Sequence, residues 1–197
     1  TQNILCTGAT GTPNYIFTYS VNGGSNQTVS TTGGSSTVNV PQVTTTAGTF
    51  VYHLVSVSDA NGCSQSVSVS DVTIVVNPLP TANISVNATV CRNTATLIVL
   101  FTEATGTPNY IFTYTVNGGS NQTVSTTGGS STVNVPQVTT TAGTFVYHLV
   151  SVSDANGCSQ TVSVSDVTIV VNPLPTASIS GNATVCRNTA TLNVLFT

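Results

Sequence analysis

The sequence predicts an all-β protein built from tandem immunoglobulin-like β-sandwich modules of about 95 residues, joined by proline-rich linkers. Residues 1–102 recur as residues 96–197, with ten differences among the 102 aligned pairs. Apolar residues alternate with polar ones at period two, turn signals recur at regular spacing, and no helical periodicity appears. A 95-residue unit is the size of a small sandwich and exceeds the roughly 20–50 residues of solenoid repeats.

The repeat divides the chain into three parts. Residues 1–77 (module 1) form a module that lacks its first strand, residues 78–172 (module 2) form a complete module, and residues 173–197 (module 3) supply the first two strands of a third. Each junction reads Asn-Pro-Leu-Pro-Thr, and two prolines in five residues favour an extended, semi-rigid link. Because the chain starts inside a repeat, we expect it to be a segment of a longer protein.

Residues 82–85 and 88–91 read as the first strand of module 2, and the strand that follows it in each copy is apolar on one face. Residues 1–7, 96–102 and 191–197 all read as strands, and Leu97, Val99 and Phe101 share one parity. Ile98 has the opposite parity, and asparagine replaces it in module 3. This replacement indicates that the face of Ile98 is the more solvent-exposed one. Cys6 stands where the other copies have phenylalanine, so we expect a buried free thiol on the inner face.

The next strands are separated by clear turn signals. An alternating strand begins at Tyr15 and ends at Asn22-Gly23, a dipeptide that tolerates the positive φ of a hairpin turn. Residues 26–31 read as a polar edge strand. Residues 37–40 read as a short strand that stops at Pro41, because proline cannot donate to a ladder.

A sixteen-residue stretch, GTFVYHLVSVSDANGC, occurs at residues 48–63 and again at 143–158. Its apolar residues change parity between Leu54 and Val55, which predicts a β-bulge there. The following strand changes parity at Ser70–Asp71, where we expect a second irregularity. The residues predicted to face the core are Tyr15, Phe17, Tyr19, Tyr52 and Leu54 in module 1, and Tyr110, Phe112, Tyr114, Tyr147 and Leu149 in module 2.

The composition excludes several classes of function. Charged residues make up 4% of the chain, against about 25% in ordinary domains. The cations at neutral pH are Arg92 and Arg187, too few to bind a phosphate backbone, so nucleic acid is set aside as a partner. No stretch approaches 18 apolar residues, so we expect no membrane span. A Ser-, Thr- and Asn-rich surface suits a secreted or surface-displayed β-protein.

Candidate catalytic and metal-binding residues are few. His53 and His148 are the two histidines, each mid-strand between tyrosine and leucine, and we interpret them as structural. Asp59 and Asn61 could contribute to a calcium site, but calcium wants six or more oxygen ligands, so a turn cap is the favoured interpretation. The cysteines lack the spacing of a zinc site. We therefore expect no catalysis, no metal and no cofactor.

The stretches PNYIFTYSVNGG (13–24) and GTFVYHLVSVSDANGC resemble the repeat modules of giant surface proteins of Bacteroidota, including gliding-motility adhesins of the SprB type and related PKD-like modules. The resemblance covers essentially the whole unit, although the strand from Gly48 to Asp59 is about three residues longer here. It implies secretion by the type IX system, an extracellular location at the cell surface, a role as a stalk or adhesin, and no catalysis.

One pair of cysteines is expected to form a disulfide. Cys91, at the start of module 2, and Cys158, after its long strand, are expected to form a disulfide, and the resemblance points the same way. In the chain-entropy model such a bond would add about 4 kcal/mol. Cys6, Cys63 and Cys186 are then expected to have no partner within this segment.

Two functional hypotheses remain from the sequence. The favoured one is a structural shaft of tandem modules, whose partners are neighbouring modules of the same long chain or copies of itself in a filament. The alternative is a module that binds a glycan or a surface through exposed loops. A separate question is whether module 1 is completed by preceding residues of a longer chain or by the C-terminal strands of another copy. The sequence favours the longer chain, because residues 191–197 would compete with residues 1–7 for one position.

Overall fold

The computed structural model describes residues 2–8 and 10–197. It divides into two compact units, one of Thr1–Pro80 with Asn156–Cys158, and the other of Thr81–Ala155 with Ser159–Thr197. The first boundary lies in the proline-rich linker, three residues beyond the predicted end of module 1. Residues 173–197, predicted as the start of a third module, group with the second unit.

The described residues are all-β, as the sequence predicts. The strands of module 1 are β1 (Gln2–Thr7), β2 (Ile16–Val21), β3 (Gln27–Ser30), β4 (Thr37–Gln42), β5 (Gly48–Ser58), β6 (Ser64–Ser66) and β7 (Val72–Val76). Those of module 2 are β8 (Ala82–Ser85), β9 (Ala88–Cys91), β10 (Leu97–Glu103), β11 (Ile111–Val116), β12 (Gln122–Ser125), β13 (Thr132–Gln137), β14 (Gly143–Ser153), β15 (Ser159–Thr161) and β16 (Val167–Asn172). Two short strands follow, β17 (Ile179–Ser180) and β18 (Leu195–Phe196).

Module 2 is a complete sandwich of two sheets. One sheet has the order β13-β10-β8, and the other has the order β12-β11-β14-β16-β9, with β15 also paired to β14. β8 and β9 are consecutive in the chain but belong to different sheets. β8 runs antiparallel to β10, whereas β9 runs parallel to β16. The first strand of the module therefore crosses from one sheet to the other and borders both.

The inner faces of the two sheets form one core in module 2. Val99, Phe101, Phe112 and Ile169 are fully buried there. Eight of the ten residues expected in the cores of the two modules are buried, whereas Tyr19 and Leu54 of module 1 are partly exposed. Their counterparts Tyr114 and Leu149 are buried, so the difference comes from what covers each module and not from the phase of the strands.

The predicted β-bulge is confirmed. Thr18 pairs with Ser56 and Tyr19 pairs with Leu54, which leaves Val55 as the extra residue of β5. The same shift occurs in module 2. The backbone oxygen of Val55 instead accepts a hydrogen bond from Val67, in the irregular segment that separates β6 from β7. That segment runs from residue 67 to 71 and so contains the predicted irregularity at Ser70–Asp71.

The sequence interpretation of Pro41 was wrong. β4 continues through it to Gln42, and Pro41 lies opposite Asn3 of β1. Among the described residues β4 has β1 as its sole ladder partner, so it is an edge strand. An edge strand tolerates proline where its missing N–H would face away from the ladder.

Module 1 has the same plan with two strands fewer. Its smaller sheet is β1-β4, and its larger sheet has the order β3-β2-β5-β6, with β7 paired to β5. No counterparts of β8 and β9 lie within residues 2–8 and 10–77. Within those residues, β1 has no ladder partner on the side where β10 pairs with β8. β7 likewise has no partner on the side where β16 pairs with β9.

The C-terminal residues form little regular structure. Residues 191–197 were predicted as a full strand, but the ladder between β17 and β18 joins only Ile179 to Phe196 and Ser180 to Leu195, with one further pair of backbone hydrogen bonds between Ser178 and Thr197. These two pairs have the same register as the β8–β10 ladder of module 2. The side chains of residues 176–197 are exposed, because no second sheet packs against them.

Candidate functional site

The turn after β5 is organised by a carboxylate. Asp59 Oδ1 accepts hydrogen bonds from the backbone N–H groups of Asn61 (3.0 Å) and Cys63 (2.9 Å), and Oδ2 accepts one from Thr12 (3.1 Å). The N–H of Thr12 is the largest cause that holds the pKa of Asp59 below its usual range, and the other two N–H groups add to it. Both carboxylate oxygens are thus used by backbone donors, which confirms the turn-cap interpretation.

The same turn in module 2 is more deeply buried. Asp154 Oδ2 accepts a hydrogen bond from the N–H of Thr107 at 3.1 Å, and the N–H of Ala155 bonds to the carbonyl of Thr107 at 3.0 Å. Asp154 therefore ties the end of β14 to the loop that precedes β11. Among residues 2–8 and 10–197, no group of three His, Cys, Asp or Glu side chains is placed to hold a metal ion.

Each histidine is held by an aspartate. His53 Nδ1 lies 2.7 Å from Asp71 Oδ1, and His148 Nδ1 lies 2.7 Å from Asp166 Oδ1. All four side chains are about half-exposed on the outer face of the larger sheet. The pair joins the middle of the long strand to the residue that precedes the next strand, which agrees with the structural interpretation. Sequence reasoning missed the partner, although the 18-residue spacing recurs in both modules.

The cysteines do not form the expected disulfide. In the register of β9 with β16, Cys91 lies opposite Asn172, at the end of the sandwich where β14 begins. Cys158 follows the other end of β14. The eleven residues of β14 separate the two ends by about 33 Å, whereas a disulfide needs Cα atoms within about 7 Å. The Cys91–Cys158 pairing therefore does not fit this fold, and the described structure contains no disulfide bond.

The other three cysteines form no disulfide in the described structure. Cys63 and Cys186 are exposed. Cys6 is partly buried on the inner face of β1, and burial raises the pKa of its thiol. A raised pKa lowers the thiolate fraction and makes Cys6 less reactive than an exposed cysteine.

Glu103 anchors the linker to module 2. Its Oε1 accepts hydrogen bonds from the backbone N–H groups of Thr81, at 3.1 Å, and of Thr105. The Thr81 N–H also lies 3.1 Å from the hydroxyl oxygen of Thr105. A carboxylate that accepts two backbone N–H groups makes charge-assisted hydrogen bonds, which are stronger than neutral ones. The linker is therefore fixed where it enters the sandwich.

The same carboxylate reaches the core. Burial, together with a hydrogen bond to Glu103 and the nearby charge of Asp154, raises the pKa of Tyr110 to about 12. In module 1 the counterpart of Glu103 is Gly8, and a side chain there would meet the ring of Tyr15 at 2.7 Å. The hydroxyl of Tyr15 instead donates to the carbonyl of Gly11 at 3.0 Å. The two modules therefore differ in the hydrogen bond made by the equivalent tyrosine: Tyr110 bonds to Glu103 in module 2, whereas Tyr15 bonds to Gly11 in module 1.

The chain enters and leaves module 2 at opposite ends. Thr81 lies beside Glu103, at the end of the sandwich that contains the Asp154 turn. The exit is at Asn172, whose carbonyl accepts a hydrogen bond from Arg92 at 2.8 Å, beside the start of β14. The eleven residues of β14 span the distance between these ends, about 33 Å.

The comparisons with known proteins show no family for this chain. No protein-family description matches the chain, and no curated protein matches it. Among solved structures it is similar to the fibronectin(III)-like modules of CbhA from Clostridium thermocellum, with 17% identity over 87% of this chain and 85% of that chain and a TM-score of 0.35. Within the described residues, no helix is long and apolar enough to cross a membrane.

Proposed function

We propose that this chain is a structural segment of tandem β-sandwich modules that forms the shaft of an extracellular adhesin. The observation that carries the proposal is the position of the chain ends in module 2. The chain enters the sandwich at Thr81, at one end, and leaves it at Asn172, at the other end. Each module added in series then lengthens the protein by the length of its long strand, which is the requirement for a spacer.

The near-identity of the copies supports the same proposal. A spacer requires many equivalent modules, whereas a binding site usually requires one specialised module. The differences between modules 1 and 2 fall mainly on β1 and its counterpart, with Gly8 in place of Glu103 directly after that strand, and the other loops are unchanged. The turns after the long strands are therefore not specialised toward a ligand in one copy.

The finer assignment rests on the sequence resemblance. The repeat resembles modules of SprB-type surface proteins, so we propose display at the cell surface after type IX secretion. The low charge and the polar, threonine-rich strands agree with an extracellular setting. The partners in this proposal are neighbouring modules of the same chain or copies of the chain in a filament.

Small-angle X-ray scattering on chains that contain one, two and four copies of residues 78–172 tests the shaft. We expect the maximum dimension to rise by about 33 Å or more with each module. An unchanged maximum dimension between two and four modules would contradict an extended shaft. A glycan array tests the alternative. Specific binding that loop substitutions abolish would show that the module recognises a ligand instead.

A further inference from the structure

The beginning and the end of module 2 are tied together within one sheet. β9 runs parallel to β16, and four residue pairs join the two strands, from Ala88 opposite Ile169 to Cys91 opposite Asn172. β16 pairs with β14 on its other side. A proline-rich linker flanks module 2 on each side within this chain. The pairing therefore connects the part of the module that follows one linker to the part that precedes the other.

Further hydrogen bonds close this pairing at both of its ends. Before β9, the side-chain oxygen Oδ1 of Asn87 accepts the backbone N–H of Thr168 at 2.8 Å. After β9, the N–H of Arg92 donates to the carbonyl of Asn172 at 2.8 Å. The side chain of Asn87 thus extends the contact beyond the last residue pair of the ladder. We call the four residue pairs and these two bonds the β9–β16 clamp.

The two strands of the clamp are anchored differently in the sandwich. Val167, Ile169 and Val171 of β16 are all buried in the core. β9 is the last strand in the order β12-β11-β14-β16-β9, and Val90 is its partly buried contact with the core. β16 is therefore held by its side chains and by β14, whereas β9 is held mainly by its bonds to β16. A force that separates the two strands acts first on those bonds.

A pull on the two linkers loads the clamp along the direction of its strands. The chain enters module 2 at the end that contains Glu103 and leaves it at Asn172, at the opposite end. The load first meets β8, which four residue pairs hold to β10, and it passes to β9 when β8 slides. β9 is then drawn toward the entry end and β16 toward the exit end. Because parallel strands drawn in opposite directions slide along each other, all bonds of the clamp are strained together.

We propose that the β9–β16 clamp bears mechanical load and makes module 2 resistant to unfolding by a pull on its linkers. β8 yields first and lengthens the linker by a few residues, and the clamp yields second and releases the whole module. Resistance of this kind depends on the rate of unfolding under force and not on equilibrium stability. The inference rests on the proposed shaft, since a clamp has a use only in a chain under tension.

The first test pulls on the same bonds in two directions with optical tweezers. Handles are attached to the whole 197-residue chain through two introduced cysteines, after its own five cysteines have been replaced by serine. The pair Leu79→Cys and Leu174→Cys pulls on the two linkers and shears the clamp. The pair Ala95→Cys and Leu174→Cys pulls from one end of the clamp and peels it, because position 95 follows β9 and position 174 follows β16. All three positions are exposed.

We expect the linker pull to require a force roughly twofold or more above that of the one-end pull, because four residue pairs resist together in one direction and in turn in the other. The length released, roughly 3.5 Å for each residue between the handles, shows that module 2 was folded at the start. Equal forces in the two directions would overturn the clamp and leave the shaft standing. A shaft that fails in the scattering experiment would leave the difference in force unchanged.

The second test removes one bond of the clamp. Asn87→Ala deletes the oxygen that accepts the N–H of Thr168 and should lower the force of the linker pull. The one-end pull starts at the other end of the clamp, so its force should stay the same. Asn83→Ala is the matched control, because Asn83 Oδ1 bonds to the N–H of the neighbouring Ile84 within β8 and joins no two strands. A linker-pull force lowered equally by both substitutions, or by neither, would refute the assignment of the load to β9 and β16.

Discussion

Glu103 Oε1 accepts a hydrogen bond from the backbone N–H of Thr81 at 3.1 Å and thereby joins the linker to the end of β10. The carboxylate also accepts the N–H of Thr105 and bonds to Tyr110 in the core. One side chain thus connects the linker, a strand end and the core of module 2. In a tandem protein under tension, load on the linker would reach the sandwich through this residue.

Glu103→Gly places the residue of module 1 at this position and is expected to destabilise module 2. The substitution removes the carboxylate oxygen that accepts the backbone N–H groups of Thr81 and Thr105, at a cost of about 1–3 kcal/mol. Hydrogen exchange in β10 and β14 measures the free energy of opening of module 2 within the whole chain. Glu103→Gln keeps an acceptor oxygen and should cost less. Unchanged exchange in both variants would contradict the anchoring role.

Thr126→Val is expected to destabilise module 2 through one buried hydrogen bond. Thr126 Oγ1 accepts the N–H of Tyr110 at 2.9 Å, and Thr126 is buried. Valine has the same shape but leaves that N–H without a partner, which costs about 1–3 kcal/mol. Thr123→Val, on the exposed face of β12, is the matched control and should be neutral. Equal midpoints of chemical denaturation for the two variants would argue against the bond.

The strands and the bulge could be predicted from the sequence because both depend on local pattern. The change of parity at Val55 is visible along the chain, and the structure places the extra residue of β5 there. The burial of Tyr110 and Phe112 also follows from alternation. A pattern of period two reports which side chains share a face, and that is enough to orient each strand.

The position of Cys91 could not be predicted in the same way. Residues 82–91 read as one broken first strand, but β8 and β9 belong to different sheets. The crossing between sheets carries Cys91 to the end of the sandwich opposite Cys158. Alternation does not encode which sheet a strand joins or in which direction it runs. The role of Glu103 escaped prediction for a related reason, since its partner Thr81 is 22 residues away.

Asp59 is expected to make module 1 sensitive to acid. Its folded-state pKa is depressed, so its contribution to stability is fully present above the unfolded aspartate pKa of about 3.9. That contribution is lost as pH falls through the folded-state pKa, because the protonated carboxyl is a poorer acceptor. Asp59→Asn cannot titrate and should show a smaller fall in the melting temperature of module 1 below pH 4. An identical acid dependence in both proteins would exclude this role.

The final prediction concerns oxidation of the folded chain. Cys91 and Cys158 lie at opposite ends of module 2, about 33 Å apart by the length of β14, so no disulfide between them forms without unfolding. Non-reducing peptide mapping after mild oxidation of the native chain should show no Cys91–Cys158 link. The positive control is the double variant Ser85→Cys, Leu100→Cys, whose positions are directly opposite in the β8–β10 ladder. This pair should oxidise within one chain. A Cys91–Cys158 link in native protein would place β9 at the other end of the sandwich and refute its parallel pairing with β16.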